Sequence, residues 1–162
     1  MPVVRIARMA LLGAVLYVAQ VALAFLPNVE LVSLLLICYT MVFGKDAFLC
    51  AAVFVLCELL QWGFGVWWLS YLYVWPLLVL AALLLRGALG EEFLVWAVVS
   101  GVFGLCFGAL FAVAYLPVGP AYAVTYWVSG LPFDVWHAVC NFTLMLVLGK
   151  PVYRLLVRLA GI

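Results

Sequence analysis

Asp134, His137 and Asn141 recur at spacings of three and four residues in the segment Pro132-Phe133-Asp134-Val135-Trp136-His137-Ala138-Val139-Cys140-Asn141-Phe142. On a helix these three positions fall within about 60° of one another and form one polar stripe. A carboxylate beside an imidazole offers metal ligation, general-base chemistry or ligand recognition. Metal ligation lacks a second imidazole, because His137 is the only histidine and no HxxxH or HExxH spacing occurs. A Ser–His–Asp hydrolase lacks a serine in a nucleophile-elbow context. Pro132 suits a helix's first turn, where Asp134 would complement the positive end of the helix dipole. Capping accounts for Asp134 but not for His137 and Asn141, which lie deeper on the same face. The stripe therefore reads as a recognition surface, and it is also the one constellation a membrane enzyme could use.

A second group surrounds Glu58. It stands twelve residues beyond Asp46, about 18 Å of helix rise, inside an apolar run. Gln61 and Trp62 follow at i+3 and i+4 and project from the same face. An ionisable group within a membrane span costs several kcal/mol, which marks Glu58 as a candidate ligand or cavity contact, with a helix-tying acid as the structural alternative. Asn28 and Glu30 sit in the turn Pro27-Asn28-Val29-Glu30-Leu31-Val32-Ser33. Trp67, Trp68, Tyr71, Tyr126 and Trp127 add aromatic walls. Six of the seven Trp cluster toward one side, with only Trp96 toward the other. An interfacial belt places aromatics at both interfaces, so this excess points to an aromatic-walled pocket.

The elements that must position these groups are membrane helices. The chain has 162 residues, 72% hydrophobic and 8% charged, with a mean hydropathy of +1.41, far from the composition of a soluble domain. It reads as a single domain over residues 1–162, all-α and integral to a membrane. A hydrocarbon core about 30 Å thick needs roughly 20 helical residues. Six spans are expected, near 5–26, 30–43, 47–62, 69–85, 90–115 and 132–148. Residues 117–132 are expected to form an outer connection, and 152–159 a basic amphipathic tail along the membrane surface. The second span is short, which implies tilt or shielding by protein. Pro76 is expected to kink the fourth. Gly101, Gly104 and Gly108 form a small-residue stripe suited to close helix packing. The first apolar stretch is too long for the core of a cleaved signal peptide.

All seven cations, Arg5, Arg8, Lys45, Arg86, Lys150, Arg154 and Arg158, fall at span ends that this threading puts on one side. The positive-inside rule then makes both termini cytoplasmic. A net charge of +1 without a basic patch gives no reason to expect nucleic acid as a partner. The five Cys stand singly in apolar runs without a CxxC pair, as packing residues do. No metal or other cofactor is expected. No GxxxxGK[ST] loop is present, so the chain does not power transport by itself.

Taken together, the chain resembles the S components of energy-coupling factor (ECF) transporters, the substrate-binding membrane subunits of a group of prokaryotic ABC importers for vitamins. The resemblance covers essentially the whole length. It rests on six spans with cytoplasmic ends, the Ala10-x-x-x-Ala14 pattern extended by Ala7, the Pro27–Ser33 turn, and the Pro132-Phe133-Asp134-x-x-His137-Ala138-x-x-Asn141-Phe142 segment. It implies a binding subunit, not an enzyme, in the cell membrane. It also implies docking of Ala7, Ala10 and Ala14 on a transmembrane coupling subunit that carries two ATPases. Substrate would sit in the outer half, beneath the loops joining helices 1–2, 3–4 and 5–6. Because that half has no Lys or Arg, a neutral or cationic flat heterocycle is expected, thiamine- or pyrimidine-like, with a corrinoid second. An ion-coupled carrier using Glu58 is the competing class, although no internal repeat supports it.

Overall fold

The computed structural model describes residues 3–161, and every regular element among them is helical. The α-helices are α1 (Val3–Leu23), α2 (Val32–Phe43), α3 (Ala47–Trp62), α4 (Val66–Leu89), α5 (Phe93–Ala112) and α6 (Pro120–Ala160). Single 3-10 turns lie at Gly44–Asp46 and Val113–Tyr115.

The breaks follow local backbone chemistry. Gly44, Gly63 and Gly90 end α2, α3 and α4 at φ of 61°, 76° and 52°, a region that costs residues with a Cβ. Pro27-Asn28 follows α1, with Asn28 itself left-handed at φ 57°.

Contacts fix the helix directions. Arg5 pairs with Asp46, Cys50 Sγ meets Met9 Sδ at 3.7 Å, and Gly13 lies against Val53, so α1 and α3 run parallel. The chain therefore reverses at Gly44, between α2 and α3. At the same end of the bundle Arg86 reaches the Thr40 carbonyl at 3.3 Å, and Tyr153 donates to Glu91 at 3.3 Å. All seven Lys and Arg belong to this end, as do the start of α1 and the finish of α6. The starts of α2 and α4 and the finishes of α1, α3 and α5 gather at the other end, which carries no cation.

Five helical stretches are long and apolar enough to cross a membrane: Val3–Leu23, Val32–Trp62, Val66–Leu89, Phe93–Tyr115 and Pro120–Ala160. The second contains both α2 and α3. At 12 residues, α2 spans only about 18 Å. It is short because it is central. Val32, Ser33, Leu34, Leu36 and Ile37 are all buried, and α2 packs on α6, α4, α1 and α3, which shield it as its brevity implies.

Two expectations about the C-terminal third need correction. Residues 120–132 are helical rather than a loop, and residues 152–159 continue the same helix rather than forming a separate tail. The resulting 41-residue helix is about 60 Å long, twice the hydrocarbon thickness. Pro120 occupies the first turn, and Pro132 and Pro151 lie inside the helix. A proline removes one N–H and frees one carbonyl, a local cost that packing can outweigh. Here Tyr126 lies against Tyr115 with ring centroids 4.6 Å apart, and Ser129 Oγ donates to the Thr125 carbonyl at 2.8 Å. Likewise α4 runs through Pro76 without interruption.

The most extensive helix pair is α5 with α6, and the glycine stripe explains it. A Cβ on Gly101 would come within 3.2 Å of the Ala138 carbonyl oxygen, and one on Gly104 within 3.0 Å of the His137 backbone. Only glycine lets the two backbones approach so closely.

Candidate functional site

Two adjoining cavities open at the cation-free end, of about 480 and 260 Å³. Pro27, Asn28 and Phe107 line both, so the α1–α2 turn and one face of α5 separate them. The outer cavity is walled by Asp134, Tyr126, Ser129 and Phe133 from α6 and by Gly108 and Phe111 from α5. The deeper one is walled by Gln20, Glu30, Tyr71, Trp75 and His137.

The α6 stripe meets a different neighbour at each turn. Asp134 Oδ1 accepts the Gly108 N–H at 2.9 Å. His137 Nε2 lies 3.3 Å from Glu30 Oε1, and its ring stands edge-on to Phe107 with centroids 4.9 Å apart. Asn141 Nδ2 donates to Ser33 Oγ at 3.2 Å. All three are at least nine-tenths buried. Asp134 does not stand in a helix's first turn, because α6 begins at Pro120, and its carboxylate accepts from an α5 amide instead.

Glu30 precedes α2, and its Oε2 accepts the Ser33 N–H at 2.8 Å. That amide belongs to the first turn of α2, where N–H groups lack intrahelical partners and the dipole favours negative charge. Burial opposes the charge on Glu30, but the hydrogen bond and Coulombic attraction from His137, with the Ser33 bonds, outweigh it. The carboxyl is held below its usual range.

Six buried polar atoms have no hydrogen-bond partner among the described residues: Asp134 Oδ2, Gln20 Oε1, Trp75 Nε1, Asn141 Oδ1, Glu58 Oε1 and Ser100 Oγ. The first three belong to cavity-lining residues. Unsatisfied buried groups are costly, and half of these sit in residues that line a cavity, although the atoms themselves are sealed from it.

The structure gathers Asn28, Glu30, Tyr71, Tyr126, Asp134 and His137 at the cavities, with Asn141 one turn beneath. It does not bring the other candidates there. Gln61 and Trp62 are exposed at the end of α3. Trp68 donates to the Val55 carbonyl at 2.9 Å, and Trp67 packs edge-on to Tyr71 at 5.4 Å. Trp127 lies on an outward-facing groove between α5 and α6. Glu58 is buried in α3 but lines neither cavity. Sequence reasoning missed Gln20, Phe107 and Phe111. Gln20 was legible as a polar residue inside an apolar helix, whereas the two Phe are indistinguishable in sequence from lipid-facing ones.

No family model, curated protein or solved structure matches the chain. What the geometry of the site offers is binding. Two buried acids, one imidazole and several aromatic rings, with no Lys or Arg, can surround a small solute. No group of three or more His, Cys, Asp or Glu able to hold a metal occurs among the described residues.

On α1, Ala7 is exposed and Ala10 and Ala14 are partly so. The close approach of α1 to α3 instead uses Gly13, where a Cβ would come 2.6 Å from Val53 Cβ. The alanine edge thus does not make the closest approach of α1 to α3.

Proposed function

We propose that this chain is the substrate-capturing membrane subunit of an ECF-type importer. The observation that carries the proposal is the pair of cavities at the cation-free end, walled by Glu30, Asp134, His137 and aromatic rings. In this reading six helices cross the cell membrane of a prokaryote, and the seven cations hold one end in the cytoplasm. The cavities then face outward and take a solute from outside. An anion in such a site would meet acids and no Lys or Arg, so the solute is a neutral or cationic flat heterocycle. Cavities of about 480 and 260 Å³ suit a small thiamine- or pyrimidine-like ring better than a corrinoid. Delivery requires a coupling subunit docked on the Ala7, Ala10 and Ala14 edge and two ATPases, since the chain has no nucleotide loop of its own.

Mass spectrometry of small molecules that co-purify with the protein, followed by calorimetric titration of the hits, tests the ligand class. Tight binding of a free-carboxylate vitamin overturns it. Uptake of the hit that depends on co-expressed coupling and ATPase subunits tests the importer assignment, and uptake by the chain alone overturns that.

The unpartnered Oε1 of Glu58, buried in a membrane helix, favours a second reading as an ion-coupled carrier. In that case proteoliposomes containing only this chain accumulate solute under an ion gradient, and Glu58→Gln abolishes the accumulation.

A further inference from the structure

We propose that the seam between α5 and α6 holds one anionic phospholipid at the cation end of the bundle, its acyl chain in an apolar groove and its phosphate on Lys150 and Arg154. The inference goes beyond the importer reading and needs only that the helices cross a membrane.

The groove, of about 320 Å³, lies between Val98, Gly101 and Leu105 of α5 and Val139 and Phe142 of α6. A Cβ on Gly101 would point at Phe142 Cβ, 3.2 Å away, so its absence leaves the trough open. Gly104, in the middle of the apolar stretch Phe93–Tyr115, meets the backbone of His137. The neighbouring groove therefore lies at mid-membrane depth. From Val139 one face of α6 continues through Thr143 to Lys150 and Arg154, four positions within about 60° of one another. All four are exposed. The rise from Val139 to Lys150 is about 16 Å, close to half the hydrocarbon thickness. A chain lying in the groove thus ends where its headgroup meets these two cations.

The cations are free to take it. Arg5 is held by Asp46, and Arg86 reaches the Thr40 carbonyl. Lys150, Arg154 and Arg158 stand one turn apart along α6, and their side chains have no hydrogen-bond or ion-pair partner among the described residues. The acids at this end are Asp46, Glu91 and Glu92. Asp46 is spent on Arg5, Glu91 accepts from the Tyr153 hydroxyl, and none pairs with the stripe. Charge alone would suit a soluble phosphate. The exposed track from the apolar groove to the cations commits the surface to a lipid, which brings tail and phosphate in one molecule. An anionic headgroup carries no cation of its own, so it answers the stripe as a zwitterionic one does not.

Native mass spectrometry of the full chain in detergent tests the assignment, with dioleoyl phosphatidylglycerol, dioleoyl phosphatidylcholine and glycerol phosphate as probes. Phosphatidylglycerol should be retained as a single lipid, at least about tenfold tighter than phosphatidylcholine, and glycerol phosphate should not displace it. Lys150→Gln combined with Arg154→Gln should bring the two lipids to equal affinity. Arg8→Gln combined with Lys45→Gln, at the same end but off this face, should leave the preference intact. Leu105→Trp, which fills the groove, should weaken both lipids by a similar factor. Equal affinity for the two lipids in the unmodified chain overturns the proposal and needs no variant to fold. A preference lost equally in both double variants also overturns it, because the effect is then diffuse charge. Displacement by glycerol phosphate does so too, because the site then takes phosphate without a tail. No imported solute enters these measurements, so their failure leaves the importer reading standing.

Discussion

The carboxylate of Asp134 occupies the space that a side chain on Gly108 would fill, and it accepts the Gly108 N–H at 2.9 Å. One residue contributes by having no Cβ, the other by filling the gap with an acceptor. This contact closes the α5–α6 pair at the cavity end, and it tethers the carboxylate at the outer-cavity wall.

Gly108→Val should therefore displace Asp134 and lower stability by about 1–3 kcal/mol, the usual cost of overpacking. Asp134→Ala in the same chain vacates the space and should restore part of that loss. Thermal unfolding of the two single variants and the double variant in detergent gives the coupling. Strict additivity would mean that the two groups do not compete for one volume.

Glu30 makes stability depend on pH. Its folded-state carboxyl is held below the ordinary value of 4.5 by His137 and Ser33, against the opposing effect of burial. A depressed pKa stabilises the fold above the unfolded value, and the contribution is lost as pH falls through the folded value. The unfolding midpoint should fall as pH drops from 6 to below about 4, and it should fall less in Glu30→Gln. A larger acid-induced drop in the variant would contradict the assignment.

Cysteine labelling on a cysteine-free background tests the orientation proposed from the cations. In intact cells, positions 45 and 150 should stay unlabelled by an impermeant maleimide and position 122 should label. Outside labelling at 45 or 150 reverses the orientation.

Ala14→Trp should abolish coupled transport and leave solute affinity unchanged, because the alanine edge and the cavities are separate surfaces. Only a small residue allows close helix approach there. Normal assembly and transport by the variant would move the docking surface elsewhere.

The helical membrane character of the chain is written in its sequence, because hydrocarbon requires every backbone polar group to be paired within its own helix. The gathering of cations at one end was legible too, since each lies at the end of an apolar run. The glycine stripe announced close packing, which it achieves against Ala138 and Phe142. Prolines misled where they stood in for ends. Pro132 and Pro151 look like boundaries in isolation, yet α6 passes through both because packing along α5 outweighs one missing donor. The assembly of the cavities was beyond the sequence. Glu30 and His137 are 107 residues apart and meet only because α2 packs parallel to α6. Glu58 shows the converse: a buried acid stands out in an apolar run, but which wall it faces depends on how α3 is rotated in the bundle. Residue chemistry fixed what each helix can offer, and the packing of the helices decided which offers meet in one place.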